Sequence, residues 1–471
     1  MKKTKIICTM GPNTHDKECL KKLALNGMNI ARLNFSHGEY EEQLEMINLI
    51  KEVRSELGLP IAILLDTKGP EIRVGVLKDE KITLTQGAQV TLTTEEIEGD
   101  ETLIPITYAD LPKDVEKGNR ILMDDGLLEL QVDATTDTTI FCTVVAGGIL
   151  SSKKGVNVPN VRVNLPAITD KDREDITFGI EHEVDFIAAS FVRNADAINQ
   201  IKNLLKVHHA EDISVIAKIE NHEGVQNMNE ILAVADGIMV ARGDLGVEIP
   251  AQEVPFVQKE LIQKCNEAYK PVITATQMLD SMMRNPRPTR AEVTDIANAI
   301  YDGTDAIMLS GETAVGKYPV ETVRLMSEIA EATEEHLMYD VHMAKKKMKA
   351  NLDISNAVAF SSVATSHNVE AKYILTSSIS GDTARLVSKY RPKCPIIGLS
   401  PIDRTLRKMQ IYWGVIPMRT KHVAHTDEIL NLAVETVKDA KLVEKGDVVV
   451  MTAGSVFGEH AITSMMKVFI I

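Results

Sequence analysis

The chemistry in this chain is densest between residues 214 and 250. One short apolar run ends in Lys218 and Glu220, and a second ends in Arg242, Gly243 and Asp244. Between them Val225, Met228, Ile231 and Leu232 fall on one side of a helical pattern, so the segment reads as strand, helix, strand. Where parallel strands alternate with helices, the residues just past the strand ends converge on one face. Two carboxylates from neighbouring strands beside a lysine describe a site for a hard cation with a charge-stabilising partner. Gly243 leaves a backbone N–H that no side chain of its own covers. Any one Glu or Asp reads more simply as a solvated strand-end carboxylate; the constellation is what argues for chemistry.

Other strand ends are loaded in the same way. Asn34, Ser36, Asp66 and Thr67 offer only oxygen ligands with at most one full charge, which suits a weakly bound monovalent cation better than Mg²⁺. Arg32, Arg73, Lys153 and Lys154 are the cations a phosphorylated ligand needs. Simpler readings stand beside these. Asn34 and Ser36 can cap the helix that follows, Lys153-Lys154 can be an exposed basic pair, and His37 can be a satisfied histidine.

The elements that must position these groups follow from periodicity. Short apolar runs occupy residues 5–9, 29–34, 61–66, 185–191, 214–220, 237–242, 271–277 and 305–310, most of them separated by helical stretches such as 40–57, 195–207 and 253–269. Eight strands alternating with helices predict an α/β fold of the (β/α)₈ TIM-barrel type, with an open doubly wound sheet as the alternative. About a hundred residues between Asp66 and Asp185 break the rhythm. They are rich in Thr, Val and Ile, with turn signals such as Lys117-Gly118-Asn119 and Asp124-Asp125-Gly126, and read as a small inserted β domain. Thr169 is placed to cap the helix where the barrel pattern resumes. After a long helix to about residue 336, a Lys/Met-rich connector at 343–349 suggests a boundary. A second alternation of helices with strands at 373–376, 395–398 and 447–452 then predicts a separate α/β domain.

Composition excludes several classes. The 471 residues carry a net charge of −15, which argues against a nucleic-acid-binding surface and against an anionic membrane surface. Five scattered cysteines without a C-x-x-C suggest neither a disulfide framework nor a zinc site. With no run of membrane-spanning length and no signal-peptide pattern, a cytoplasmic location is the expectation.

The motifs, taken together and in order, resemble the pyruvate kinase family. They include ICTMGP (7–12), ARLNFSHG (31–38), LLDTKGPEIR (64–73), SKKGVN (152–157), LPAITDKD (165–172), AKIEN (217–221), MVARGDLGVEIP (239–250), TATQMLDSM (274–282) and the long run 286–314. The resemblance implies a barrel (1–69 and 167–345) interrupted by a β-barrel lid (70–166) and followed by an α/β regulatory domain (346–471). It implies transfer of the phosphoryl group of phosphoenolpyruvate to ADP, giving pyruvate and ATP, with Mg²⁺ and K⁺ as cofactors and a homotetrameric assembly. Carried over by position, Lys218, Arg32 and Thr276 are catalytic. Arg32, Lys218, Gly243, Asp244 and Thr276 bind phosphoenolpyruvate. Asn34, His37, Arg73 and Lys154 attend the nucleotide. Glu220 and Asp244 hold Mg²⁺, and Asn34, Ser36, Asp66 and Thr67 hold K⁺.

In the C-terminal domain Ser378, Ser380, Gly381 and Thr383 resemble the family's phosphate-binding effector loop, with Asp382 an atypical acid among them. The loop at 454–460 offers Glu459 and no lysine or arginine. A phosphorylated effector with one phosphate, such as ribose 5-phosphate or AMP, is therefore expected in preference to fructose 1,6-bisphosphate. Two rivals share parts of the pattern: a Mg²⁺-dependent aldolase or lyase acting on pyruvate enolates, and a catalytically silent metabolite-binding regulator.

Overall fold

The structure, a computed structural model, describes residues 1–339, 343, 353–422, 426–454 and 462–471. Beyond Met343 the connector expected at 343–349 lies outside the described residues, as does the loop at 454–460 beyond Gly454.

Eight strands close into a parallel barrel: β1 (Lys5–Thr9), β2 (Ile30–Asn34), β3 (Ala62–Asp66), β4 (Phe186–Ala189), β5 (Ser214–Ile219), β6 (Gly237–Ala241), β7 (Val272–Ala275) and β8 (Ala306–Leu309). Their near-continuous apolar character reflects burial on both faces. Ile7, Leu64, Ile216, Met239 and Ile273 point into the barrel, while Ile6, Ile63, Val215 and Ile238 pack outward in the core shared with the surrounding helices. The helices Tyr40–Leu57 and Ala195–Val207 match the expected stretches, and Val254–Ala268 falls within the third. Arg242-Gly243-Asp244 differs. It does not extend β6 but opens a short helix, Arg242–Glu248, with Asp244 in the first turn, where a carboxylate suits the positive end of the helix dipole.

The insert folds around its own core of residues such as Leu92, Ile121, Leu130 and Ile140. It is a seven-stranded mixed sheet with a separate two-stranded ribbon, Lys81–Leu84 against Gly148–Ser151. The large sheet runs from the edge strand Ile72–Arg73 to the edge strand Leu103–Pro105, and a bridge between Val74 and Ile106 joins the two edges. That contact wraps it into the expected barrel-like shape. Asp172 fastens both connections to the barrel. One oxygen accepts from Gly69 N at 2.9 Å, where Gly69 turns with φ +74, and the other completes a capping box with Thr169.

The C-terminal sheet has five strands: β9 (Tyr373–Ser377), β10 (Ile396–Ser400), β11 (Val415–Arg419), β12 (Val448–Gly454) and β13 (Thr463–Ile470), in the order 11-10-9-12-13. Sequence periodicity finds the three inner strands and misses both edges. The reason is physical: β11 contains Pro417, tolerated because an edge strand has a side without ladder bonds, and β13 is largely solvent-facing.

This domain docks on the barrel face formed by the strand N-termini. There an Asx residue preceding each even-numbered strand accepts the N–H of a residue in the preceding odd strand. The bonds are Asn29 to Ile6 (3.0 Å), Asp185 to Ile63 (2.9 Å), Asp236 to Val215 (2.8 Å) and Asp305 to Val272 (3.0 Å). Arg407 and Arg391 of the C-terminal domain reach Asp185 and Asp305, each at 2.7 Å.

Candidate active site

Strands β2, β3, β4 and β5 end side by side at the opposite face, and their last residues meet. Lys218 is 8% exposed. Its Nζ lies 3.0 Å from Asp66 Oδ1, 3.0 Å from Glu220 Oε1 and 2.7 Å from Ser190 Oγ. Arg32 donates through Nε to Asp66 Oδ2 at 2.6 Å and through Nη1 to Thr9 Oγ1 at 2.8 Å. Asp66 is thus the shared counter-ion of two cations. Burial alone would push its carboxyl up, but Arg32 and Lys218 outweigh it and hold the group below the usual carboxylate range.

Glu220 is less well compensated. Its Oε2 accepts from Phe191 N at 2.6 Å, and it shares Lys218 with Asp66. Burial pushes its carboxyl up to about 7, Lys218 opposing and the nearby Asp244 adding to the shift. Burial would depress the Lys218 ammonium, yet Asp66 and Glu220 more than reverse this and hold it well above the lysine range. Lys218 therefore stays charged.

Asp244 and Glu248 stand at the floor of a cleft of about 820 Å³ between barrel and insert. Lys218 and Glu220 do not line it; they are buried, close enough to Asp244 to feel its charge. His37 lines the cleft from the barrel, and Arg73 and Lys154 line it from the insert. Arg73 donates to the Lys153 carbonyl at 2.7 Å, and Lys154 pairs with Asp124 at 2.7 Å. Across the cleft Asn157 of the insert donates to Glu248 at 2.8 Å.

The oxygen-rich group lies on adjoining strands, with Asn34 and Asp66 in register across β2 and β3. Asn34 Oδ1 accepts from Ser36 N at 3.2 Å, in keeping with a turn-capping role, and Thr67 Oγ1 accepts from Ser190 N at 3.2 Å. Among the described residues no three His, Cys, Asp or Glu side chains form a metal cage. The carboxylate pair Glu220 and Asp244 would leave most positions of a divalent ion to other oxygens, as Mg²⁺ sites commonly do.

Two expectations meet a different geometry. The Gly243 N–H is not open, because it donates to Thr276 Oγ1 at 2.7 Å. Arg242, expected to converge with Lys218, turns instead toward the Ala275–Thr276 backbone and Asp295. Ser190 and Thr9 are partners of the Lys218–Asp66–Arg32 cluster that the sequence reading does not single out; Ser190 falls inside the apolar run 185–191 but stands just past β4, a strand-end position of the kind that carries the other polar groups. In the C-terminal domain Gly381 (φ +83) caps the helix Asp382–Lys389. Its N–H donates to Ser378 Oγ at 3.0 Å, while Thr383 Oγ1 lies 2.9 Å from Thr463 Oγ1. The atypical Asp382 is held by Ser380 Oγ at 2.6 Å and by Arg385.

Among the described residues no helix is long and apolar enough to cross a membrane. The family model "Pyruvate kinase, barrel domain" matches residues 1–323, and "Pyruvate kinase, alpha/beta domain" matches residues 356–469. The pyruvate kinase of Geobacillus stearothermophilus is 51% identical over 472 aligned residues, which cover all of this chain and 80% of the relative. That of Bacillus licheniformis is 52% identical, covering all of this chain and 81% of the relative. That of Clostridium acetobutylicum is 48% identical with complete coverage of both. Domain models for both halves, full-length identity near one half and a lysine–carboxylate cluster at the barrel's strand ends agree: the chain belongs to the pyruvate kinase family and is a phosphotransferase.

Proposed function

We propose that this chain transfers the phosphoryl group of phosphoenolpyruvate to ADP, giving pyruvate and ATP. The observation that carries this reading is the buried Lys218 held by Asp66, Glu220 and Ser190 at the strand ends. Phosphoryl transfer asks for positioning and charge neutralisation more than for covalent help. The bond from phosphorus to the enol oxygen breaks while a bond to a terminal oxygen of ADP forms, and the enolate then takes a proton at C3.

Lys218 neutralises charge on the phosphoryl group in flight, and Arg32 orients it. Asp244 binds phosphoenolpyruvate with Thr276, whose hydroxyl stands near the carbon that is protonated, and Gly243 joins them when its N–H exchanges the Thr276 hydroxyl for a substrate oxygen. His37, Arg73, Lys154 and Asn34 attend the nucleotide. Glu220 and Asp244 would hold Mg²⁺, which when bound supplies positive charge to the substrate oxygens. Their fit rests on an all-oxygen donor set and on the raised Glu220 carboxyl, which a nearby cation would relieve. Asn34, Ser36, Asp66 and Thr67 would hold K⁺; with Asp66 already paired to Arg32 and Lys218, little negative charge remains, which favours a monovalent ion.

The lid (70–166) excludes water, a competing phosphoryl acceptor, when it closes over the barrel (1–69 and 167–345). The domain 346–471 is the regulatory part, working in a cytoplasmic homotetramer. Its loop Ser378, Ser380, Gly381 and Thr383 takes a singly phosphorylated effector, provided Asp382 gives way.

A coupled assay for pyruvate from phosphoenolpyruvate, ADP and Mg²⁺, with and without K⁺, tests the reading. Pyruvate formed together with equimolar ATP supports it. Carbon–carbon cleavage without ATP indicates a lyase, and binding without turnover indicates a silent regulator. Phosphoenolpyruvate saturation curves with ribose 5-phosphate, AMP or fructose 1,6-bisphosphate test the effector assignment; a leftward shift by the bisphosphate alone contradicts it.

A further inference from the structure

Thr276 is held in an unusual backbone conformation. Its φ is +69 and that of Gln277 is +55, so two consecutive non-glycine residues occupy the left-handed region directly after β7. For a β-branched residue this is strained and persists only where neighbours over-determine it. Those neighbours are adjacent in sequence. The Thr276 hydroxyl accepts from Gly243 N–H at 2.7 Å and itself donates to Ala275 O at 2.6 Å, and Arg242 grips the backbone on either side.

The Arg242 guanidinium is saturated. Nε donates to Ala275 O at 3.1 Å, and Nη2 to Thr276 O at 2.6 Å and toward Met278 Sδ at 2.8 Å. Nη1 donates to the Asp295 carboxylate at 2.7 Å and to Gln258 Oε1 at 3.3 Å. The side chain is 11% exposed and does not line the cleft. Five donors in one plane meeting five acceptors is a task for arginine; a lysine ammonium offers three donors and no plane.

We infer that Arg242, anchored by Asp295, is a positioning residue that fixes Thr276 in its left-handed conformation and so holds the threonine hydroxyl where the proton step needs it. The inference rests on the reading above that Thr276 stands near the protonated carbon. Because the clamp sits on the Thr276 side of the site, its loss falls on the proton step, whereas the Lys218–Asp66–Arg32 cluster that serves phosphoryl transfer shares none of its bonds. A displacement of about 1 Å at a reacting group can lower its step ~10²-fold.

The test compares two rates in the Mg²⁺-loaded enzyme: exchange of the pyruvate methyl hydrogens with D₂O in the presence of ATP, and single-turnover ATP formation from phosphoenolpyruvate and ADP. In Arg242→Lys, exchange should fall ~10–100-fold while ATP formation changes no more than about threefold. Asp295→Asn should shift the ratio in the same direction by less. Equal loss of both rates with a lowered unfolding midpoint would make Arg242 merely structural and overturn the inference, as would an unchanged ratio. If Arg242→Lys does not fold, Asp295→Asn alone decides by the same ratio. Thr276→Val separates this inference from the reading beneath it. Selective loss of exchange in Thr276→Val but not in the Arg242 and Asp295 variants refutes the clamp; normal exchange in Thr276→Val refutes the proton role itself.

Discussion

The two ends of the barrel use the same residue types to opposite effect. At the N-terminal end of the strands, Asp185 and Asp305 each accept one backbone N–H and one arginine, and all four bonds are 3.0 Å or shorter. At the C-terminal end, Asp66 pairs with both Arg32 and Lys218 while Glu220 shares Lys218 with it, and Glu220, near the charge of Asp244, is left with its carboxyl raised to about 7. At the lower face each of these two acids has an arginine of its own and serves docking and closure, although burial still holds the Asp185 carboxyl above its usual range. At the upper face the cations are divided unevenly: Asp66 holds two and is kept below the carboxylate range, while Glu220 shares one and is raised. Stability and chemistry are thereby separated along one set of strands.

Substitutions of Glu220 and Asp244 at the upper face should break activity and spare the fold. Glu220→Gln should lower turnover ~10²-fold at fixed Mg²⁺ and raise the Mg²⁺ concentration giving half-maximal rate, since a neutral amide is a poor ligand for a hard cation. Asp244→Asn should move the Mg²⁺ titration in the same sense. The unfolding midpoint of metal-free Glu220→Gln should be no lower than that of the parent. Overlaying Mg²⁺ titrations for both variants would put the metal elsewhere.

Substitutions at the lower face should do the reverse. Asp305→Asn removes the charge partner of the buried Arg391 and should destabilise by about 3 kcal/mol, read from urea unfolding. Turnover below the transition should stay within about twofold, because the two sites are distant and share no partners. A variant of undiminished stability would remove the distinction between the two faces.

Much of this division was legible in the sequence. All eight barrel strands, the insert after the third and the lysine–carboxylate cluster follow from apolar runs and from what stands at their ends. Less legible were features set by tertiary partners rather than by local pattern. Arg242 looked like a site cation because it follows a strand, but Asp295, more than fifty positions later, turns it toward Thr276. Gly243 looked open because it lacks a side chain, yet the Thr276 hydroxyl covers it. The edge strands Val415–Arg419 and Thr463–Ile470 escaped because edges carry proline and solvent-facing residues that dilute the strand signal.

A pH dependence is also expected at the lower face. Lys5 donates to the Val415 carbonyl and Lys389 to Asn356 at 2.8 Å, and burial lowers each from an ordinary 10.5 to about 7. Nearby acids, Glu334 for Lys5 and Asp353 for Lys389, oppose the shift without reversing it. Between about 7 and 10.5 the unfolded chain holds protons that the folded chain has released, so stability should rise with pH across that window. Below about 7 both states are protonated and the burial penalty is fully present. Urea midpoints at pH 7 and 9.5 should climb in the parent and climb less in Lys5→Met and Lys389→Met. Equal slopes would show that these lysines are not desolvated.

The central claim is that the charge of Lys218 serves the reaction. Its most direct test is the rate of pyruvate formation by Lys218→Met at saturating phosphoenolpyruvate, ADP and Mg²⁺, with the unfolding midpoint measured on the same preparation. Turnover of the folded protein should fall at least ~10²-fold, because the lysine's interaction strengthens as charge develops on the transferring group, while the midpoint drops as Asp66 and Glu220 lose a buried partner. A folded Lys218→Met protein that turns over near the parent rate would contradict the account.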